Sequence, residues 1–237
     1  MNQVHRANIH DISPNGRIDN QHSFSFTDYY KSNRLQVGKI RLFNNAISKD
    51  KQGFVQYPKQ NMEIVSIPLS GEIKHSDGLG NQQIIHTGEV QVLSVGKGLS
   101  SSEFKPSSDA PANFLQIWVS PKKMNTTPKC VQKTYSNSRI KNRFFPIVTP
   151  RVNDENTVSI NQDIFFSHAN LDQGAETQYP HYYNNATYYF FVIEGEIKIN
   201  NIILQAQDAI TLTDLNADYI DITAQQSSKV LCIEINE

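Results

Sequence analysis

The 237-residue sequence predicts an all-β protein built from two copies of one antiparallel β module. Strand-like segments recur at short spacing, helix signals are scarce, and two four-residue blocks return in the second half of the chain. Many short strands separated by Gly, Pro and Asn turns are typical of a β-sandwich or barrel. A repeat within one chain indicates that such a unit has been duplicated.

The predicted strands are short runs rich in Val, Ile and Phe, and each is bounded by Gly, Pro, Asn or Ser. Those of the first half are Lys39–Phe43, Glu63–Leu69, Glu72–His75, Gln82–Ile85, Val90–Val95 and Phe114–Val119. Those of the second half are Asp163–His168, Tyr188–Ile193, Glu196–Asn200, Ile202–Leu204, Ala209–Thr213, Ile220–Thr223 and Lys229–Ile235.

The repeat consists of two blocks in the same order. Gln-Tyr-Pro-Lys at 56–59 returns as Gln-Tyr-Pro-His at 178–181, and Gly-Glu-Ile-Lys at 71–74 returns at 195–198. Each Gly-Glu-Ile-Lys block follows an apolar strand and precedes another strand. We therefore expect a hairpin at each block, with Gly71 and Gly195 permitting the tight bend.

Residues 120–152, between the two strand clusters, are predicted to connect two domains, 1–137 and 138–237. This segment has four prolines and an excess of Lys and Arg over acidic residues, which we interpret as a solvated surface. Its prolines are Pro121, Pro128, Pro146 and Pro150, and its basic residues include Lys122, Lys123, Lys129, Lys133, Arg139, Lys141 and Arg143.

The charge balance argues against two classes of partner. There are 22 Lys and Arg against 23 Asp and Glu, and the polarity comes from 23 Asn and 18 Gln. A general nucleic-acid binder or an anionic-membrane binder normally has a basic excess. Residues 1–13 have no apolar core, so no secretory signal is predicted, and no run is long enough for a membrane helix. Two cysteines cannot form a disulfide framework, and we expect a cytoplasmic protein with reduced thiols.

Several specific blocks between about residues 20 and 135 resemble the N-terminal domain of the pirin family. They are His22–Phe26, Gly53-Phe54, Met62–Val65, Gly71–Asp77, Gly80-Asn81, Gly88–Gln91, Gly96–Leu99, Ser102–Phe104 and Leu115–Trp118. Pirins are bicupins, two tandem cupin barrels of jelly-roll-like form in one chain. The resemblance therefore implies the same duplicated all-β fold as the repeat.

The resemblance also implies where a metal would lie. Pirins commonly hold iron in the first barrel through three histidines and one glutamate. Some members oxidise the flavonoid quercetin, and the eukaryotic namesake is a nuclear transcription cofactor. Two of the histidines form a His-Pro-His block, and the third lies two residues before the glutamate. Those positions are occupied here by Tyr57, Lys59, Ser101 and Glu103, so only the glutamate is retained.

The replacements remove the chemistry of the metal site. Neutral imidazoles donate a lone pair to a divalent ion, whereas Lys59 is a cation that offers only donors. Ser101 is a poor ligand, and Tyr57 has a reference pKa of about 10, far above the value at which it would ligate readily. The Tyr-Pro-Lys block resembles a metal-lacking bacterial subgroup of pirins. We therefore predict no metal and no cofactor, and a ligand pocket at these four residues.

Lys59 has two interpretations. It forms an ion pair with Glu103 that takes the place of the metal and its ligand, or it points to solvent at the barrel mouth. In the second copy His181 occupies the matching place, next to several tyrosines. We interpret this lone histidine as a packed, hydrogen-bonded side chain rather than a metal ligand.

The two cysteines have different expected environments. Cys130 lies between Lys129 and Lys133, and cationic neighbours lower the pKa of a thiol, so a redox role is one interpretation. The other is an ordinary loop cysteine. Cys232 lies in an apolar run and is expected to face a core.

The predicted function is therefore that of a bicupin with a degenerate metal site, in a non-enzymatic role. Small-ligand binding, redox or stress sensing and a protein–protein role all fit this description, and no protein partner is specified. One alternative is a quercetin 2,3-dioxygenase-type cupin oxygenase with a non-standard metal site. A second alternative is a module that resembles a transcription cofactor, although no basic localisation run supports it.

Overall fold

The structure is a computed structural model that describes residues 2–7, 11–14, 18–22, 37–48, 54–56, 60–78, 80–99, 102–106, 110–152, 154–213, 215 and 218–237. Each predicted strand overlaps an observed one. In chain order the strands are β1 (Asn2–His5), β2 (Asp11–Pro14), β3 (Ile18–His22), β4 (Ile40–Ser48), β5 (Phe54–Gln56), β6 (Glu63–Ser70), β7 (Glu72–Asp77), β8 (Gln82–His86), β9 (Glu89–Ser94), β10 (Ser102–Pro106), β11 (Ala112–Val119), β12 (Lys129–Thr134), β13 (Phe145–Thr149), β14 (Val158–Ser159), β15 (Ile164–Leu171), β16 (Glu176–Pro180), β17 (Ala186–Glu194), β18 (Glu196–Ile199), β19 (Ile202–Gln205), β20 (Ala209–Leu212), β21 (Tyr219–Ala224) and β22 (Ser228–Asn236).

The described part of the chain has one short helix, α1 (Asn137–Ile140). None of its helices reaches the length and apolar character that crossing a membrane requires. The chain divides into two compact units, which correspond to the two predicted barrels.

The N-terminal unit comprises His10–Thr134 and Arg151–Gln162. It has two antiparallel sheets, a larger one of order β12-β9-β6-β11-β4-β3-β2 and a smaller one of order β5-β10-β7-β8. Ala46 and Phe114 of the larger sheet pack with Ile73 and Ile85 of the smaller one, so this core lies between the sheets. Cross-sheet burial of this kind is what stabilises a sandwich.

The C-terminal unit comprises Met1–Ile9, Tyr135–Pro150 and Asp163–Glu237. Its larger sheet contains the order β1-β20-β17-β22-β15-β13, and its smaller sheet has the order β16-β21-β18-β19. Tyr179, Ile197 and Ile222 of the smaller sheet pack against Phe190 and Cys232 of the larger one. Cys232 is therefore in the core, as its apolar surroundings in the sequence predict.

The strand orders confirm the duplication. The order β9-β6-β11-β4 of one unit corresponds to β20-β17-β22-β15 of the other, and the smaller sheets correspond strand for strand. Each unit is a pair of sheets rather than one closed barrel, and the fold is that of a bicupin.

The hairpin predicted at each Gly-Glu-Ile-Lys block is wrong. Gly71 separates β6 from β7 and Gly195 separates β17 from β18, but in each pair the two strands belong to different sheets. The glycines have φ angles of +73° and +84°, which favour glycine. These sharp bends transfer the chain from the larger sheet to the smaller one. The actual hairpins come one strand later, between β7 and β8 and between β18 and β19.

The segment 120–152 contains more regular structure than a connection needs. All residues of β12 pair with β9 of the N-terminal unit, whereas β13 pairs with β15 of the C-terminal unit. Each unit also contains a segment that is separate from the rest of it in sequence. Met1–Ile9 belongs to the C-terminal unit, and Arg151–Gln162 belongs to the N-terminal unit. A single boundary after residue 137 therefore does not describe how the contacts divide.

Candidate ligand-binding site

Of the four residues predicted to form the ligand pocket, Glu103 is the one that the structure describes. Glu103 is on β10, where it stands opposite Val55 of β5 and Ser76 of β7. Tyr57, Lys59 and Ser101 lie outside the described residues. Gln56 and Ser102, which are the sequence neighbours of Tyr57 and Ser101, are paired. The last residue of β5 and the first residue of β10 are therefore adjacent.

A row of uncharged polar side chains crosses the larger sheet of this unit. Gln116 of β11 stands opposite Asn44 of β4 and Ser66 of β6, and Ser66 stands opposite Gln91 of β9. All four residues are buried, with exposures of 6% for Asn44 and 1% for each of the others. We call these four residues the polar row.

The polar row faces the space between the two sheets. Gln116 is two residues from the core residue Phe114, and Asn44 is two residues from the core residue Ala46. Side chains two apart on a strand share a face of the sheet. His75 of β7 is fully buried and two residues from the core residue Ile73. The N-terminal unit therefore has a polar level inside its sandwich.

At the positions of the C-terminal unit that match the polar row, the side chains are mostly apolar. Ser66 lies five residues before Gly71, and the residue five before Gly195 is Phe190. Phe190 stands opposite Cys232 and Ile210, and Cys232 stands opposite Ser167. Ser167 is the polar member of this second row. The two copies have thus diverged at one level of the interior.

Hydrogen bonds satisfy part of the polar row. Gln91 donates from Nε2 to Gln83 Oε1 at 3.0 Å, and Trp118 donates from Nε1 to Gln116 Oε1 at 3.3 Å. Ser66 Oγ and Gln91 Oε1 are buried and have no hydrogen-bond partner among the described residues. Buried polar atoms are costly without a partner, so each of these two would be stabilised by a ligand or a water molecule.

Cys130 lies beside this interior, on β12. Its Sγ is 3.9 Å from His75 Nδ1 and donates to Gln83 Oε1 at 3.5 Å. Burial raises the pKa of Cys130 to about 12, and burial also lowers the pKa of His75. The two side chains are therefore a neutral thiol and a neutral imidazole at pH 7.

The lowered thiol pKa expected from Lys129 and Lys133 is not found. Lys129 is adjacent to Cys130 on the strand and points to the other face of the sheet. Lys133 donates from Nζ to the Asp154 carbonyl oxygen at 2.7 Å. Desolvation therefore dominates the environment of Cys130, and a redox role for this residue stays a prediction.

The donors at the family's ligand positions do not fit a divalent metal. Lys59 adds a positive charge and has no lone pair while it is protonated, which leaves Glu103 as the one carboxylate of the set. Elsewhere in the described ranges, no three His, Cys, Asp or Glu side chains are grouped so that they could hold a metal ion.

The sequence reasoning missed a polar site in the C-terminal unit. Glu234 of β22 is fully buried and stands opposite Tyr188 of β17 and Phe165 of β15. Its Oε1 accepts hydrogen bonds from the backbone N–H groups of Tyr182 and Tyr183, at 2.8 and 2.7 Å. The alternation of β22 contains the signal, because Glu234 is two residues from the core residue Cys232.

His181 has the environment expected of a packed histidine. Its Nδ1 is hydrogen-bonded to the hydroxyl of Tyr188, and its ring is edge-on to that tyrosine. Burial lowers its pKa. The histidine at the position matching Lys59 is thus part of an aromatic cluster.

Comparisons with known proteins agree with this architecture. A family model described as Pirin matches residues 4–119, and one described as the quercetinase C-terminal cupin domain matches residues 147–235. A putative quercetin 2,3-dioxygenase of Pasteurella multocida is 30% identical over 216 residues, covering 90% of both chains. The quercetin 2,3-dioxygenase of Escherichia coli K12 is 27% identical over 235 residues, covering 99% of both.

Solved structures are similar over the whole chain. The Escherichia coli protein YhhW superimposes with a TM-score of 0.91 at 26% identity, covering 100% of this chain and 98% of that one. A nickel(II) complex of the same bacterial pirin gives a TM-score of 0.89 at 26% identity, covering 99% of both chains. The duplicated sheets define a bicupin. The family models and the relatives identify the family within this fold, and the chain belongs to the pirin family.

Proposed function

We propose that this chain is a pirin-family bicupin whose N-terminal unit binds a small polar molecule without a metal ion. The observation that supports the proposal most strongly is the buried polar row, at a level where the duplicated C-terminal unit is largely apolar. Placing four polar side chains inside a sandwich costs stability unless each finds partners. Within the described residues Ser66 Oγ and Gln91 Oε1 of the row have no partner, and a ligand with hydrogen-bonding groups would supply one to each.

The chemistry of the interior narrows the ligand class. Asn44, Ser66, Gln91 and Gln116 are uncharged and offer both donors and acceptors. His75 is neutral at pH 7 because burial lowers its pKa. A small neutral molecule with hydroxyl or amide groups therefore matches this interior better than an ion does. Lys59 and Glu103 add one charge of each sign to the proposed pocket.

Ser66→Ala separates a binding role from a structural one. Ser66 Oγ has no partner among the described residues, so this change should leave the free energy of unfolding within about 1 kcal/mol of wild type. The matched control is Ser94→Ala on the same sheet, because Ser94 donates to Glu63 Oε2 at 2.7 Å. Ser94→Ala should lower the free energy of unfolding by about 1–2 kcal/mol, because it removes this hydrogen bond. Urea denaturation measures both, and equal losses would show that the row is structural.

Binding itself is tested on protein stripped with a chelator. At least one compound in a panel of small neutral polyols and amides should raise the unfolding temperature in a saturable way. The shift should disappear in Gln91→Leu, which removes one member of the polar row. A panel with no effect, or a shift that Gln91→Leu retains, counts against the proposed site.

We also propose that Lys59 and Glu103 form an ion pair where other pirins hold the metal. Lys59→Ala alone would leave a carboxylate without its counter-charge, at a cost of about 2 kcal/mol. The double variant Lys59→Ala/Glu103→Gln should recover most of that loss. Denaturation of the wild type, both single variants and the double variant forms the cycle. Additive losses would mean that the two side chains do not interact.

The names of the relatives support a second candidate, an oxygenase that acts on quercetin. It requires a metal arrangement that the residues at the family's ligand positions do not supply. Oxygen-dependent depletion of quercetin by protein incubated with iron, nickel, copper or manganese would favour this candidate. Depletion no faster than in a protein-free control would favour metal-free binding.

A further inference from the structure

Glu234 holds a segment of chain at one end of the C-terminal sandwich. The segment 181–185 links β16 to β17, and we call it the mouth segment. Glu234 lies near the end of β22, opposite the early residues Phe165 of β15 and Tyr188 of β17. The carboxyl group is therefore at the end of the sheet where the mouth segment enters it.

One oxygen of the carboxyl group makes both backbone contacts. Tyr182 and Tyr183 donate their N–H groups to Oε1 of the fully buried Glu234. The ring of Tyr182 also stacks on Phe165, with centroids 4.0 Å apart and an interplanar angle of 11°. One buried carboxyl group therefore accepts the hydrogen bonds of two successive backbone N–H groups of the mouth segment.

Titratable groups lie next to Glu234 on β16, β17, β22 itself and the mouth segment. They are Tyr179 from β16, Tyr188 from β17, Cys232 from β22 itself, and His181, Tyr182 and Tyr183 from the mouth segment. Burial raises the pKa values of Tyr179, Tyr188 and Cys232, and it lowers that of His181. These four side chains are uncharged at neutral pH, so they supply no counter-charge.

Two opposing effects act on the carboxyl group. Burial raises its pKa, and the N–H bonds of Tyr183 and Tyr182 and the Tyr179 hydroxyl reduce that rise, which leaves the pKa at about 7. The group therefore exchanges its proton in the neutral range. A carboxylate accepts hydrogen bonds more strongly than a neutral carboxylic acid does. The two contacts to the mouth segment should thus weaken on protonation.

We propose that Glu234 is a pH-dependent latch that fastens the mouth segment to the C-terminal sandwich as a carboxylate and loosens it as an acid. A cleft of about 290 Å³ adjoins the segment and is lined by Asn184, Asn185, Ala186, Tyr188 and Leu215, among others. Two of these lining residues belong to the mouth segment. Loosening the latch would therefore change the walls of this cleft.

Amide hydrogen exchange followed by NMR tests the latch. The protection factors of the Tyr182 and Tyr183 amides, already corrected for intrinsic exchange, should increase roughly tenfold from pH 6 to pH 8. In Glu234→Gln they should stay low and independent of pH. The matched control is Glu63→Gln, which alters a buried glutamate of the N-terminal unit and should leave both amides unchanged.

A second measurement uses the unaltered protein. The side-chain carboxyl carbon of Glu234 should titrate by NMR in the same pH range as the protection of the two amides. Coincident titrations support the latch even if Glu234→Gln fails to fold. Protection that is constant with pH, or that changes while the Glu234 carboxyl signal does not, would overturn it.

Discussion

Replacing Gly195 by alanine is expected to lower the free energy of unfolding of the C-terminal unit by about 3 kcal/mol or more. A Cβ at this position would lie 2.3 Å from the Ser227 carbonyl oxygen and 2.8 Å from Ser228 Cα. Both of these atoms belong to the backbone and cannot rotate away. The φ angle of +84° adds the cost of placing an L side chain in the left-handed region.

Gly174→Ala is the matched control in the same unit. Its φ angle is +79°, but a Cβ there would have no atom within 4 Å. The free energy of unfolding of Gly174→Ala should therefore fall only by the cost of the positive φ angle, about 1–2 kcal/mol. Urea denaturation followed by circular dichroism measures both variants. Similar losses would show that the close approach to Ser227 does not constrain the bend.

Lowering the pH from 6.5 to 4 is expected to remove about 3 kcal/mol of stability through His168 alone. Burial, with a smaller effect from Lys229, lowers the pKa of His168 to about 4. Its pKa in the unfolded chain is near 6.5, so the unfolded state binds the proton first as the pH falls. The contribution of His168 is therefore complete above pH 6.5 and decreases down to about pH 4.

His168→Leu isolates this contribution. Both ring nitrogens of His168 are buried without a hydrogen-bond partner among the described residues, so replacing the histidine by leucine removes no hydrogen bond to them. It does lose the edge-on contact with Tyr135, whose ring centroid is 5.6 Å away. The stability of the variant relative to wild type should increase as the pH falls from 6.5 to 4. A difference between the two proteins that does not vary with pH would contradict the account.

Most of the secondary structure could be predicted because local patterns determine it. Apolar, β-branched runs between Gly, Pro and Asn are typical of strands, and the repeat indicates that the module is duplicated. The partner of each strand depends on the whole fold. The local pattern at Gly71 and Gly195 therefore predicts hairpins, although a glycine with positive φ is equally suited to a crossing between sheets.

The polar row could not be recognised from single strands. Gln116, Ser66 and Gln91 each interrupt an apolar run, and each taken alone resembles an exposed position or a random substitution. Strand register brings them together with Asn44, and register is set by contacts far apart in sequence. Cys130 shows the same limit, because its basic sequence neighbours do not indicate how deeply the thiol is buried.

Metal content after loading tests most directly whether the N-terminal unit works without a metal, as we propose. Wild type and a Tyr57→His/Lys59→His/Ser101→His variant, which restores the pirin ligand set with Glu103, are incubated with excess iron(II) or nickel(II). Both are then desalted and measured by elemental mass spectrometry. We expect no stoichiometric metal in wild type and about one ion per chain in the variant. Stoichiometric metal in wild type would contradict the account.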